Sequence, residues 1–103
     1  MSWLCLDTHI SGRSFVGLLG SSGWIESREI EGRGHRTLAV LADLHTQYTQ
    51  EIQGVAVVPG PGSFSAIRTG VLYANLYARL RHLPLKTILM GEWSDPVRLY
   101  QVL

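Results

Sequence analysis

Charge is scarce in this chain. Only 17% of its 103 residues are Asp, Glu, Lys or Arg, against about 25% in an average soluble domain. The composition fits a well-filled interior or extra apolar surface reserved for a partner, and so few charges with no membrane segment favour the second. The net charge of +1 supplies no bulk field that argues for nucleic acid or against it. One cysteine, Cys5, excludes an intrachain disulfide. It lies in an apolar run, Trp3-Leu4-Cys5-Leu6, where a buried and inert thiol is expected. No stretch approaches the roughly 20 apolar residues that cross a bilayer, and no charged-then-apolar signal opens the chain. A cytoplasmic protein without membrane attachment is therefore expected. Repeats, linkers and low-complexity segments are absent too.

What is present suits one domain over residues 1–103, with 46% hydrophobic residues and a mean hydropathy of +0.12. A domain of this size buries roughly 65% of the surface of its unfolded chain, enough for one modest core. Residues 2–8 read as a first strand. The turn at Ile10-Ser11-Gly12-Arg13 leads into a second strand over 14–19, and Gly20-Ser21-Ser22-Gly23 leads into a third over 24–30. From His35 the apolar residues fall at Leu38, Leu41, His45 and Tyr48, with Val40 and Leu44 alongside. That is helical spacing with an apolar face wider than one sheet contact requires. Gln53-Gly54 ends this element, and Val55 to Val58 form a short continuous apolar run, the mark of a strand covered on both sides.

A second helix is predicted from Ser63 or Ser65, either of which could cap it for about 1 kcal/mol, to about His82. It carries two apolar strips: Ile67, Val71, Ala74 and Ala78, and Leu72, Leu76 and Leu80, with Tyr73 and Tyr77 beside them. One strip must pack on the sheet; the other needs a partner. Pro84 precedes a final strand over 85–90, and 91–103 is a tail without assigned structure. The order β-β-β-α-β-α-β predicts an α/β fold with a mixed five-stranded sheet. This is the ribonuclease H-like order, which is also one lobe of the actin-like (ASKHA) architecture.

The most informative segment is 55–70, where a strand meets a Gly/Pro turn and a helix N-terminus. Free amides and the positive end of the helix dipole could hold an anion there. Candidate phosphate-binding residues are Gly60, Gly62 and Ser63, with Asp7 and Thr8 at the end of the first strand. The corner is not a Walker loop, lacking the Lys-Ser/Thr, and Ser65 stands where the third glycine of a dinucleotide fingerprint belongs. The alternative is a turn whose glycines allow positive φ and whose prolines stiffen it. Asp7-Thr8 could equally hold Mg²⁺ through water or simply form a turn. One carboxylate is not a two-metal site, so no metal and no cofactor are expected.

No catalytic residue is assigned either. Gly-x-Ser-x-Gly is absent, and His35 and His45 are too far apart on one helix for metal pairing. Structural roles suit all four histidines better. Residues 65–86 hold Arg68, Arg79, Arg81 and Lys86 and no acid. Such a run could touch RNA phosphates, though a solvated face is the more ordinary reading.

Gly60-Pro61-Gly62-Ser63-Phe64-Ser65-Ala66-Ile67-Arg68-Thr69-Gly70 closely resembles the Gly-Pro-Gly-Ser-Phe-Thr-Gly-Leu-Arg-x-Gly signature of the TsaB (YeaZ) family. Leu4-Cys5-Leu6-Asp7-Thr8 matches that family's opening strand, His35 with Leu38 and Leu41 its first helix, and Pro84-Leu85 the start of its next strand. The resemblance implies an actin-like fold and a non-catalytic subunit in the synthesis of threonylcarbamoyladenosine on tRNA. It implies pairing through the two helices of the first lobe with a TsaD-like transferase or with a second copy. An ATPase subunit of the same pathway is a further possible partner; tRNA contact is either indirect or left open at Arg68, Arg79 and Arg81. The interface, or the core directly behind it, is then expected at Leu38, Leu41, Val71, Ala74 and Ala78, with Leu72, Leu76 and Leu80 taking that place if Ala74 faces the sheet.

The chain departs from the family at His9, Ser65 and Ala66, and again at Gly91-Glu92-Trp93-Ser94-Asp95-Pro96. It stops where the second lobe would begin, so a single lobe is expected, without the cleft in which actin-like folds hold nucleotide. Two other readings stand beside the pairing subunit: a phosphate-binding remnant of a kinase-like fold, and a diverged paralogue with another partner.

Overall fold

Residues 1–10, 12–32, 34–62 and 64–103 are described by the computed structural model. Three strands open the chain: β1 (Ser2–Ile10), β2 (Arg13–Gly20) and β3 (Gly23–Glu31). Helix α1 (Gly34–Tyr48) follows, then a 3₁₀ turn (Thr49–Glu51), β4 (Ile52–Val57), α2 (Phe64–Arg81) and β5 (Leu85–Thr87). A second 3₁₀ turn (Met90–Ser94) and a short helix, α3 (Pro96–Val102), complete it.

The five strands form one sheet in the order β3-β2-β1-β4-β5. The meander β1-β2-β3 is antiparallel, while β4 and β5 run parallel to β1, each returned by a crossover helix. The sheet is thus mixed, as the element order predicts.

Side chains of a strand alternate between faces, so the central strands feed two cores. Leu4 and Leu6 of β1, with Val55 and Val57 of β4, meet Leu41 and Leu44 of α1 and Ala74 and Ala78 of α2. Trp3 and Cys5, with Ala56 and Val58, point the other way and meet Ile88 and Leu99. This double covering explains why β1 and β4 read as unbroken apolar runs.

Several boundaries differ from the sequence reading. Helix α1 ends at Tyr48, and β4 begins at Ile52 rather than Val55, because Ile52 is buried and pairs with Ser2. The last strand stops at Thr87, and Ile88 enters the second core instead of extending the sheet. The tail is the largest correction. Asp95 accepts a hydrogen bond from the Arg98 backbone N–H at 3.4 Å and Pro96 opens α3, a standard N-terminal arrangement. Leu99 then seats in the second core, and Trp93 stacks on Trp24 with centroids 4.8 Å apart. Helix α2 ends one residue earlier than expected, where His82 takes a positive φ of 55°.

Candidate functional site

At the carboxyl end of β1 the sequence candidates do converge. Asp7 is buried, and its Oδ1 accepts the His9 backbone N–H at 3.1 Å while lying 2.5 Å from His9 Nδ1. The Thr8 hydroxyl donates to the Ala66 carbonyl in the first turn of α2 at 2.8 Å. Gly70, one turn along, is what lets the two elements come so close. A Cβ there would overlap the Thr8 hydroxyl and sit 2.8 Å from the Thr8 methyl. Gly62, at φ +156°, passes against the His9 backbone, and a Cβ would lie 2.8 Å from His9 Cβ. Gly60 has φ +136°, a conformation that other residues rarely adopt. Ser63, the remaining phosphate candidate, lies outside the described residues, as does the side chain of His35.

The corner is therefore a built junction between β1 and α2. One oxygen of its carboxylate and one hydroxyl are bonded within the chain. Beside it lies a recess of about 420 Å³ that Thr8, Ser14, Thr37, Ser65 and Thr69 help to line. Ser14 and Thr37 bond to each other at 2.7 Å, and the Arg13 guanidinium lies 2.7 Å from Glu29. Among the described residues, no group of three or more His, Cys, Asp or Glu could hold a metal ion. Among the described residues, no helix is long and apolar enough to cross a membrane.

The other candidate is the outer face of α1 and α2. Of the five residues expected at the interface or in the core directly behind it, Leu41, Ala74 and Ala78 lie in the chain's own first core, the second of those two places. The physical reason is size: Ala74 and Ala78 let α2 settle closely on the sheet, where a leucine strip would stand it off. Val71 is half-buried against the same core, and Leu38 alone of the five is exposed.

The outward strip is the other one. Leu38, Leu72, Leu76 and Leu80 are 51%, 55%, 49% and 79% exposed. Between the helices runs a groove of about 390 Å³ whose walls include Leu38, Ala42, Tyr73, Leu76 and Leu80. One end of it is closed by a polar cluster that the sequence does not reveal, because its members come from both helices. Tyr77 Oη lies 2.9 Å from His45 Nδ1, and Arg81 donates to Tyr77 Oη at 3.1 Å and to the Thr49 carbonyl at 3.2 Å. The Arg81 guanidinium also lies 3.2 Å from His45 Nδ1. That nitrogen faces two donors and so serves as an acceptor. Burial raises the Tyr77 phenol above its ordinary value, opposed by Arg81, which keeps its hydroxyl protonated. The cluster fixes how α1 and α2 sit side by side. It gives the face a rigid frame.

No protein-family model matches the chain, and no curated protein does. Solved structures do. YeaZ from Pseudomonas aeruginosa superposes with a TM-score of 0.72 and 22% identity, over 85% of this chain and 43% of that one. A structure described as an uncharacterized protein with similarity to peptidase YEAZ from Pseudomonas aeruginosa gives a TM-score of 0.71 and 23% identity, with the same two shares. The fold is thus the α/β, actin-like lobe that the element order predicts, and the likeness falls on the family whose signature residues 60–70 resemble. The chain spans less than half the length of these structures.

Proposed function

We propose that this chain is a non-catalytic, TsaB-like pairing subunit in the threonylcarbamoyladenosine modification of tRNA. It docks the outer face of α1 and α2 on a TsaD-like transferase or on a second copy of itself. The observation that carries this reading is the strip Leu38, Leu72, Leu76 and Leu80, exposed beside an apolar groove on the two helices. Each of these leucines would contribute roughly 1 kcal/mol on being covered, at about 25 cal/mol per Å² of apolar surface. A chain with so few charges has little reason to hold four of them in water on one face.

The β1–α2 corner supports the same reading over a phosphate-handling one. Asp7 is bound by His9, and Thr8 is bound to Ala66. The Thr8–Ala66 bond ties the first turn of α2 to the end of β1 and so helps to set how the helix lies on the sheet.

Leu76→Arg tests the proposal. Leu76 is half-exposed and away from the core, so the variant should fold with a stability change within about 0.5 kcal/mol. It should lose pairing as measured by light scattering, because it sets an unpaired charge in the middle of the contact. Ala74→Arg should instead unfold the chain. Pairing that survives Leu76→Arg in a folded protein would refute the assignment of the face.

A further inference from the structure

We infer that residues 89–103 form a hinged strap that opens as one unit while the sheet and its two long helices stay folded, uncovering a trough whose floor holds Cys5. The strap lies on the face of the sheet opposite α1 and α2, so the inference is independent of the pairing reading.

The strap keeps its hydrogen bonds to itself. Ile88, just before it, is tied to the sheet, its N–H donating to the Val57 carbonyl at 3.0 Å. Beyond that residue, among the described residues, the backbone bonds stay within the strap: Glu92 to Leu89, Asp95 to Glu92, Leu99 to Asp95 and Leu103 to Leu99. Its polar side chains do the same. The Leu89 N–H donates to Glu92, the Ser94 hydroxyl donates to the Gly91 carbonyl, and Asp95 caps α3. Exposed side-chain bonds alone cross to the body, from Lys86 to the Leu103 carbonyl and from Tyr100 to the Met1 carbonyl. A segment held this way can leave without orphaning a backbone group of the sheet. The hinge stands ready as well. Leu89 is extended and 70% exposed, and Gly91 is exposed with open space around it.

The apolar hold is narrow. Leu99 is the buried residue of α3, with Trp93 and Tyr100 half-buried beside it. A helix of seven residues is too short to persist alone, so α3 is either docked and helical or detached and unwound. That coupling makes the opening cooperative. Beneath the strap, Cys5 is flanked across the sheet by Gly17 of β2 and Ala56 of β4. Trp24 lies over Gly17 and Trp3 over Gly54, so indoles wall a trough floored by small residues. In this core the residues that come from outside the strands are Ile88 and, from the strap, Trp93, Leu99, Tyr100 and Leu103. Detaching the strap therefore bares a thiol that is wholly buried when it is shut.

The test follows the reaction of Cys5 with dithiobis-nitrobenzoate in the folded chain without denaturant, at one mildly alkaline pH, beside global stability from urea titration. When reclosing outpaces the reagent, the labelling rate reports the population of the open form. Wild type should label about tenfold or more faster than global unfolding allows, and far slower than in urea. Leu99→Ala should raise the rate about a hundredfold, and the milder Leu99→Val about fivefold should the first variant not fold. Leu44→Ala, in the first core, should lower global stability and leave the rate unchanged. Labelling that tracks global stability in every variant, Leu44→Ala included, would overturn the inference, because the strap would then open only with the whole molecule. A wild-type thiol as reactive as that of the unfolded chain would overturn it too, because the strap would not be shut.

Discussion

Gly70 shows how much one hydrogen atom in place of a methyl group can decide. It sits in the interior of α2, where alanine would ordinarily gain about 1 kcal/mol of helix propensity. Here a Cβ would overlap the Thr8 hydroxyl on β1, so Gly70→Ala should destabilise the chain by about 2 kcal/mol, read as a lower urea midpoint. Adding Thr8→Ala should return part of that loss, and a Gly70→Ala protein as stable as wild type would contradict the packing described. Cys5 makes a second residue-scale prediction. Burial pushes its thiol from 9.0 up to about 12, so the folded chain keeps a proton that the unfolded chain gives up first. Stability is then undiminished below about pH 9 and falls as pH rises from there toward 12, by about 1.4 kcal/mol per pH unit. Urea titrations at pH 8 and 10 should show that slope, and Cys5→Ala should flatten it. Both residues stand in short motifs visible in the chain. The inert thiol was readable from its apolar neighbours, whereas the meeting of Gly70 with Thr8, far apart in sequence, was not.

Among the elements, those with strong periodicity or double covering were legible, and those decided by a neighbour were not. Strands β1 and β4 announce themselves as apolar runs because helices or the tail cover both of their faces. For α2 the two strips were visible but not their direction, because both are apolar. The contact that turns Ala74 and Ala78 inward is a matter of how closely the helix can approach the sheet. Helix α3 escaped notice because a seven-residue helix with one buried residue, Leu99, has no period to detect. Its weight is nonetheless testable. Leu99 is enclosed in the second core, and Leu99→Ala should cost about 3 kcal/mol. Thermal unfolding would report it as a lowered midpoint with the native signal intact at low temperature. An unchanged midpoint would mean that the tail does not cover this face in solution. The His45–Tyr77–Arg81 cluster belongs with α3: it exists only once two helices are side by side.

At the scale of the whole molecule, the two faces of the sheet have different fates. The tail closes one, through Trp93, Leu99 and Tyr100. The other is covered by α1 and α2, whose outer surface then carries the unpartnered leucines. The low charge content read at the outset has its place here, on the face where Leu38, Leu72, Leu76 and Leu80 stand in water. The most direct measurement is light scattering of the purified chain, alone and then mixed with the TsaD-like protein of the same source. The account predicts a one-to-one complex in the mixture that disappears when Leu76→Arg replaces the wild type. A chain that stays monomeric in both solutions would contradict it.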